Sequence, residues 1–507
     1  MSSKRTRSVI KNTVWELGYY VFVVALGFLA PRYIILIYGS AVNGLSATIT
    51  QVLNVILLLQ AGAATAAIYS LYKPIADANL TEVTSKLASA TAYFKKLSQI
   101  FLVLMVIAAL VTAFCIDSEI TPTLIFIAFI IMGFKSFLDL YFTSTYRILY
   151  TAFQEKFVMS IATLIEQIVY YVLVFTTLFF RWHFILLFLW LFIGCIVKIV
   201  YLRQVNRKKH PELVDTKVDK SGASSIIAGK NYALANEVSH SIMTTSAAIM
   251  ISFMYGLKEA SVYSVYMLVY SALYLIMTSL YSSFGPSFAN LYASGYYERS
   301  KEVFSIFQFI YLMVNALMMM CVIYLLLPFV SLYVSGVSDI NYHNESLVII
   351  SVISGTFSAF RIPYNVMVSS LGYFKETWLQ PVVTGIVCLG ISYLAGLFDY
   401  AYILLGPLVF YFVNFIYQHF RLKQLVPNMI DNKVFILLLI TFCGMGLSFF
   451  LYKTYYWDVT IIGFVLAAFC ILGCSLLFLV LASKLMMNKL LKASISYVAS
   501  VISRNNE

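Results

Sequence analysis

Charge is scarce in this sequence. Asp, Glu, Lys and Arg make up 11% of its 507 residues, against roughly 25% in a soluble domain of ordinary composition. With 61% hydrophobic residues and a mean hydropathy of +0.88, the chain has too little polar surface to cover itself, which excludes a water-soluble globular protein. Cysteine is also sparse. Cys115, Cys195, Cys321, Cys388, Cys443, Cys470 and Cys474 all fall within apolar runs, so an external disulfide framework is excluded. Cys470 and Cys474 lie one helical turn apart, a spacing that favours two small buried residues over a metal site. No Gly-x-x-x-x-Gly-Lys-Ser/Thr segment occurs, which argues against direct ATP use, and no cofactor or metal is expected.

What is present is a succession of long apolar runs from Val14 to Leu481 with short polar breaks. A membrane-crossing helix needs roughly 20 mostly apolar residues. The runs lack the alternation of membrane barrel strands. They predict an all-α polytopic membrane protein with about fourteen transmembrane helices. Lys4, Arg5, Arg7 and Lys11 precede the first run, which is too long for a cleaved signal peptide and reads as a retained helix. Lys and Arg concentrate in one set of connections, with Arg181, Lys258 and Lys453 on the other side. That asymmetry places both termini in the cytoplasm and the protein in the cytoplasmic membrane.

The longest break, 204–229, carries Arg207, Lys208, Lys209, Lys217 and Lys220. The segments flanking it look related. Lys11-Asn12 answers Lys230-Asn231, Tyr38-Gly39 answers Tyr255-Gly256, and Tyr146 answers Tyr364, as the turn at Gln154-Glu155-Lys156 answers Phe374-Lys375-Glu376, with a shift of about 217–220 residues. The expected organisation is an N-terminal six-helix bundle (1–203), a basic cytoplasmic linker (204–229), a C-terminal six-helix bundle (230–420), and two extra helices with a basic cytoplasmic tail (421–507). Two such bundles imply a central cavity and alternating access. The tail, Lys484 to Arg504, is basic and moderately amphipathic, which suits an anionic leaflet or a plain solvated end.

Ionisable groups inside spans are the natural candidates for function, because each costs about 2.5–3.5 kcal/mol there unless partnered or wet. The deep basic residues are Arg32, Lys135 and Arg361. Lys135 has Asp139 four residues later, so a self-neutralising pair is a second reading. Arg32 follows Pro31 near the outer boundary, within snorkelling range. Arg361 has no carboxylate close in sequence. These three suit an anionic substrate, Arg offering a bidentate fork to phosphate. Tyr263, Tyr266, Tyr270 and Tyr274 share one helix face. Of these, Tyr266 and Tyr270 are candidate sugar-stacking residues, with helix packing as the alternative. Glu237 and His240, one turn apart, and Glu16 at a similar depth are candidates for H+ or Na+ coupling. A structural pair near the inner boundary is the other reading.

One stretch carries a resemblance. Arg32-Tyr33-Ile34-Ile35-Leu36-Ile37-Tyr38-Gly39, then Asn43-Gly44-Leu45, then Leu71-Tyr72-Lys73-Pro74-Ile75-Ala76 resemble the Wzx-type polysaccharide flippases, in the polysaccharide transporter family of the multidrug/oligosaccharidyl-lipid/polysaccharide (MOP) exporter superfamily. Members often carry an acid before the Gly of the second helix; here the stretch reads Gln60-Ala61-Gly62-Ala63-Ala64. The resemblance implies a flippase, not an enzyme, that moves a polyprenyl-diphosphate-linked oligosaccharide to the outer leaflet for O-antigen, capsule or similar polymers. It implies a polysaccharide polymerase and other assembly proteins as partners, and no nucleic acid. A cation-coupled multidrug antiporter of the same superfamily and a membrane polymerase or glycosyltransferase remain as alternatives. The external segments are short for the last of these. The largest, Val334 to Asn344, holds Asp339 and His343, and Asp117 and Glu119 sit in another.

Overall fold

The computed structural model describes residues 2–60, 62–211, 231–454 and 460–504; most of the basic linker therefore lies outside the described residues. The elements are helices throughout. They are α1 (Ser2–Tyr38), α2 (Ser40–Leu57), α3 (Ala63–Ala76), α4 (Leu80–Cys115), α5 (Pro122–Leu138), α6 (Ser144–Ala152), α7 (Phe157–Phe180), α8 (Ile185–Lys209) and α9 (Asn231–Met254). Then follow α10 (Leu257–Ala293), α11 (Tyr297–Tyr333), α12 (Glu345–Leu371), α13 (Phe374–Thr377), α14 (Leu379–Gly396), α15 (Leu405–Leu425), α16 (Val434–Thr454), α17 (Ile461–Met486) and α18 (Asn488–Arg504). Among the described residues, 12 helices are long and apolar enough to cross a membrane. Phe22–Tyr38 of α1 is a further apolar helix, and α9, at 24 residues, is also long enough to span. These helices match the expected spans in number, α9 by its length alone.

Two differences from the expected spans have clear local causes. The second span is not continuous. It breaks at a 3₁₀ turn, Leu58–Gln60, followed by Gly62 with φ of 75°, and restarts as α3. The third helix begins well before its apolar run, at Leu80, because the Asn79 side chain caps it, accepting from the Glu82 backbone N–H at 3.1 Å. Glu82 then pairs with Lys86 at 2.7 Å one turn on, and both devices stabilise an exposed first turn. Cys470 and Cys474, expected to be buried, are exposed on α17 in a helix whose outward positions are otherwise apolar (Phe469 and Leu477 among them). A thiol is apolar enough for a lipid-facing position.

The chain divides into two compact units, Met1–Ser261 and Val262–Glu507, so the boundary falls in the first turns of α10. The first unit takes in α9, which the sequence repeat assigns to the second half. A seam of small polar residues holds it there. Asn43 Nδ2 donates to Ser261 Oγ at 2.8 Å, and Thr48 Oγ1 lies 2.6 Å from Ser252 Oγ. Within the second unit α11 and α12 are the most enclosed spans. Two of the three cations on the sparsely charged side are matched by carboxylates: Lys258 with Glu119 at 2.5 Å and Lys453 with Glu345 at 2.7 Å.

Backbone turns recur along the chain at a similar offset. Gly39 and Gly256 end α1 and α9 with φ of 87° and 107°. Further on, Glu155 N–H donates to Tyr150 O at 2.7 Å, and Tyr373 N–H donates to Val368 O at 3.1 Å. In both turns the residue before the donor, Gln154 or Gly372, is left-handed. These matched helix ends fall at the shift read from the side chains.

Gly44 has no substitute at its position. A Cβ there would lie 1.7 Å from the Leu257 carbonyl oxygen, so α2 meets the start of α10 backbone to backbone. Gly44→Ala is expected to destabilise the protein by at least about 1–3 kcal/mol, the usual cost of overpacking, read as a lowered midpoint in thermal unfolding of the detergent-purified protein. An unchanged midpoint would mean that the contact is loose.

Candidate functional site

In the first unit four helices bring together a cluster of charges. Lys135 stands on α5 and Asp139 one turn later, where the helix widens into a π-turn, Asp139–Thr143. Such turns are frequent at functional sites. Glu166 comes from α7, Lys198 from α8 and Arg147 from α6. Lys198 Nζ lies 2.5 Å from Asp139 Oδ1 and 2.6 Å from Glu166 Oε2. Lys135 Nζ lies 3.3 Å from Glu166 Oε1 and 4.0 Å from Asp139 Oδ2, and Arg147 reaches Asp139 at 3.9 Å. The Lys198 and Glu166 side chains are buried, while Lys135, Asp139 and Arg147 face a cavity of about 370 Å³ that Asn54, Gln60 and Ser136 also line. Lys135, expected to bind substrate, is thus held in an ion network, and its sequence neighbour Asp139 is only part of the reason.

Such a network is costly to break. Two ammonium groups and two carboxylates share a space from which water is largely removed, and each charge is tolerable only while its opposite is present. Lys198→Met is expected to cost about 3–5 kcal/mol. Adding Glu166→Met to it should recover part of that loss, because an uncompensated carboxylate is removed. Thermal unfolding of the single and double variants measures this, and strictly additive losses would contradict the coupling.

In the second unit a single cation sits among phenols. Arg361, on α12, is 6% exposed. Its guanidinium lies 5.9 Å from the Tyr411 ring centre, within cation–π range. Tyr274 and Tyr281 of α10 and Tyr311 of α11 are close enough to act on its charge. Tyr281 and Tyr311 meet edge to face, 6.4 Å between centroids. Tyr274 is 59% exposed, so the group has an open edge. Pro363, two residues after Arg361, lies inside the helix and removes one backbone donor there.

The other candidates are placed as follows. Tyr266 is fully buried, and its hydroxyl is committed: it donates to Tyr342 O at 2.7 Å and accepts from Asn344 N–H at 3.2 Å. It fastens the segment before α12. Tyr270 is half-buried, its hydroxyl 3.0 Å from Ser351 Oγ. Arg32 is half-buried in α1. Glu237 is exposed and His240 half-buried on α9. The Glu16 side chain lies outside the described residues. Lys198, Arg147, Tyr281, Tyr311 and Tyr411 are absent from the candidates read along the sequence. The spacing of Tyr274 and Tyr281, two helical turns, extends the face of Tyr263, Tyr266 and Tyr270 and was the available clue.

No protein-family model matches the chain, and no curated protein does. Solved structures do. A structure of the lipid II flippase MurJ in an inward closed conformation superposes with a TM-score of 0.67 at 13% identity, covering 94% of this chain and 100% of that one. An inward-facing multidrug resistance MATE family transporter of the MOP superfamily gives 0.63 at 14%, covering 81% and 98%. A MOP superfamily transporter from Pyrococcus furiosus, described as having a binding pocket of reverse polarity, gives 0.57 at 12%, covering 83% and 96%. These structures match the Wzx-type resemblance in fold. The chain shares its fold with these solved transporters, the lipid II flippase MurJ and a multidrug resistance MATE family transporter among them.

Proposed function

We propose that this protein is a flippase that moves a polyprenyl-diphosphate-linked oligosaccharide from the cytoplasmic to the outer leaflet of the cytoplasmic membrane, by alternating access, to supply surface polysaccharide assembly. The observation that carries this reading is Arg361, buried in a membrane helix among four tyrosines. A guanidinium kept there at a cost of some 2.5–3.5 kcal/mol suits an anion that arrives without its water. A diphosphate offers oxygens for its bidentate fork. Phenol rings and hydroxyls offer faces and hydrogen bonds for sugar. Both features meet at Arg361, with Tyr274 as the open edge.

The lipid tail stays in the bilayer during such a movement, and only the head and glycan need shelter. An inside-negative potential favours outward transfer of a dianion by about 4.6 kcal/mol per 100 mV, from about 2.3 per charge, so no nucleotide is required. A multidrug antiporter would need open carboxylates for cations. In the first unit Asp139 and Glu166 are already held by Lys135 and Lys198, which favours the flippase, while Glu237 on α9 is exposed.

The test is flipping of fluorescent polyprenyl-diphosphate sugars in proteoliposomes of defined composition. Arg361→Ala is expected to slow flipping by roughly ten- to a hundredfold, the loss of a charge-assisted hydrogen-bonding group worth about 1.5–3 kcal/mol. Arg361→Lys should recover part of the rate, keeping charge but losing the fork. Equal rates for wild type and Arg361→Ala would remove Arg361 from the mechanism. Efflux of organic cations without any flipping would establish the antiporter instead.

A further inference from the structure

A second, larger cavity, of about 620 Å³, lies in the second unit, away from Arg361. That volume is within the range of about 300–1,000 Å³ typical of small-ligand sites. It is enclosed by the start of α11, the turn before α16 and the junction of α17 with α18. Its inner wall is apolar, formed by Ile306, Phe309, Leu437 and Leu490, and its mouth is charged with both signs. Arg299, Lys301 and Lys433 supply the cations; Glu298, Glu302 and Asp431 supply the carboxylates.

Only one pair at this mouth is closed. Lys433 Nζ lies 2.9 Å from Asp431 Oδ2, and the Lys433 backbone N–H donates to Asp431 Oδ1 at 3.2 Å. Burial works against the charge of Asp431, but those hydrogen bonds, with the nearby Lys433 and Lys301, hold its carboxyl below the usual carboxylate range. Among the described residues, Glu298, Arg299, Lys301 and Glu302 form no ion pair within 4.0 Å. The mouth therefore offers two unmatched cations beside two unmatched carboxylates, above an apolar wall.

The cavity opens on the end of the bundle that carries Lys423, Lys433, Lys484, Lys489 and Lys492, the end assigned to the cytoplasm by its positive charge. There α18 continues from α17 with Lys489 and Lys492 exposed, and with Ile495 and Tyr497 also outward. A helix exposing both kinds of side chain belongs at the lipid–water boundary. An amphipathic ligand at that depth is a membrane lipid. A purely anionic headgroup would be opposed by Glu298 and Glu302. A headgroup with a phosphodiester and a primary ammonium satisfies both signs, phosphate on Arg299 and Lys301, ammonium on Glu298 and Glu302, with an acyl chain along the apolar wall.

We infer that this cavity is a binding site for a zwitterionic aminophospholipid, of the phosphatidylethanolamine type, from the cytoplasmic leaflet. The site stands apart from the transport reading, and a protein that flips no glycolipid would still carry it.

The test uses the full-length protein in detergent micelles with phosphatidylethanolamine, phosphatidylcholine or phosphatidylglycerol added singly. Native mass spectrometry of the wild type, with the three lipids in equal competition, should show phosphatidylethanolamine retained several-fold over the others. The melting temperature should rise most with the same lipid. Glu298→Gln with Glu302→Gln should abolish the preference for phosphatidylethanolamine over phosphatidylcholine, whose ammonium has no N–H. Arg299→Gln with Lys301→Gln should abolish retention of both. These mouth positions are largely exposed, and the wild-type competition stands without the variants. Equal retention of the three lipids, a preference for phosphatidylglycerol, or a phosphatidylethanolamine preference that survives in both double variants would each overturn the assignment.

Discussion

Hydrocarbon offers no water to a polar group, and everything distinctive in this protein answers that constraint. The backbone answers it with helices, whose hydrogen bonds close within each segment. Among the described residues, one departure from the α-helix inside a span is the 3₁₀ turn Leu58–Gln60, with Gly62 left-handed just after it. Gln60 there lines the cavity beside the charged cluster, so the irregular segment adjoins a polar surface and not lipid alone.

The side chains answer the same constraint in two ways. In the first unit, opposite charges are gathered: Lys198 is within 2.6 Å of both Asp139 and Glu166, and Lys135 and Arg147 complete the ring. In the second unit, Arg361 is surrounded by phenols, whose ring faces soften the cost of its charge. The proposed substrate contact rests on Arg361, beside the exposed Tyr274, and not on Lys135, which is held by carboxylates from two helices.

The left-handed residues at Gly39 and Gly256, and at Gln154 and Gly372, recur at nearly the same offset. The seam of Asn43, Gly44 and Thr48 against Ser252, Leu257 and Ser261 gives the Asn-Gly-Leu motif a physical meaning. Gly44 is there for a close backbone approach, and Asn43 for a hydrogen bond in a place without water.

Composition and order alone determined that this chain is a helical membrane protein, where its spans lie, and where its repeated turns fall. These follow from one-dimensional quantities: the length of apolar runs, the bias of Lys and Arg, and glycine where the backbone turns left-handed. Tertiary structure decided which buried charges meet. Asp139, Glu166 and Lys198 are far apart in sequence and touch only because α5, α7 and α8 pack together. Tyr411 meets Arg361 across two helices, and Tyr266, on the promising aromatic face, spends its hydroxyl on the segment before α12. Helical spacing reports the face on which a side chain stands. What that face meets depends on the rotation and packing of neighbouring helices, and nothing along a single helix records it.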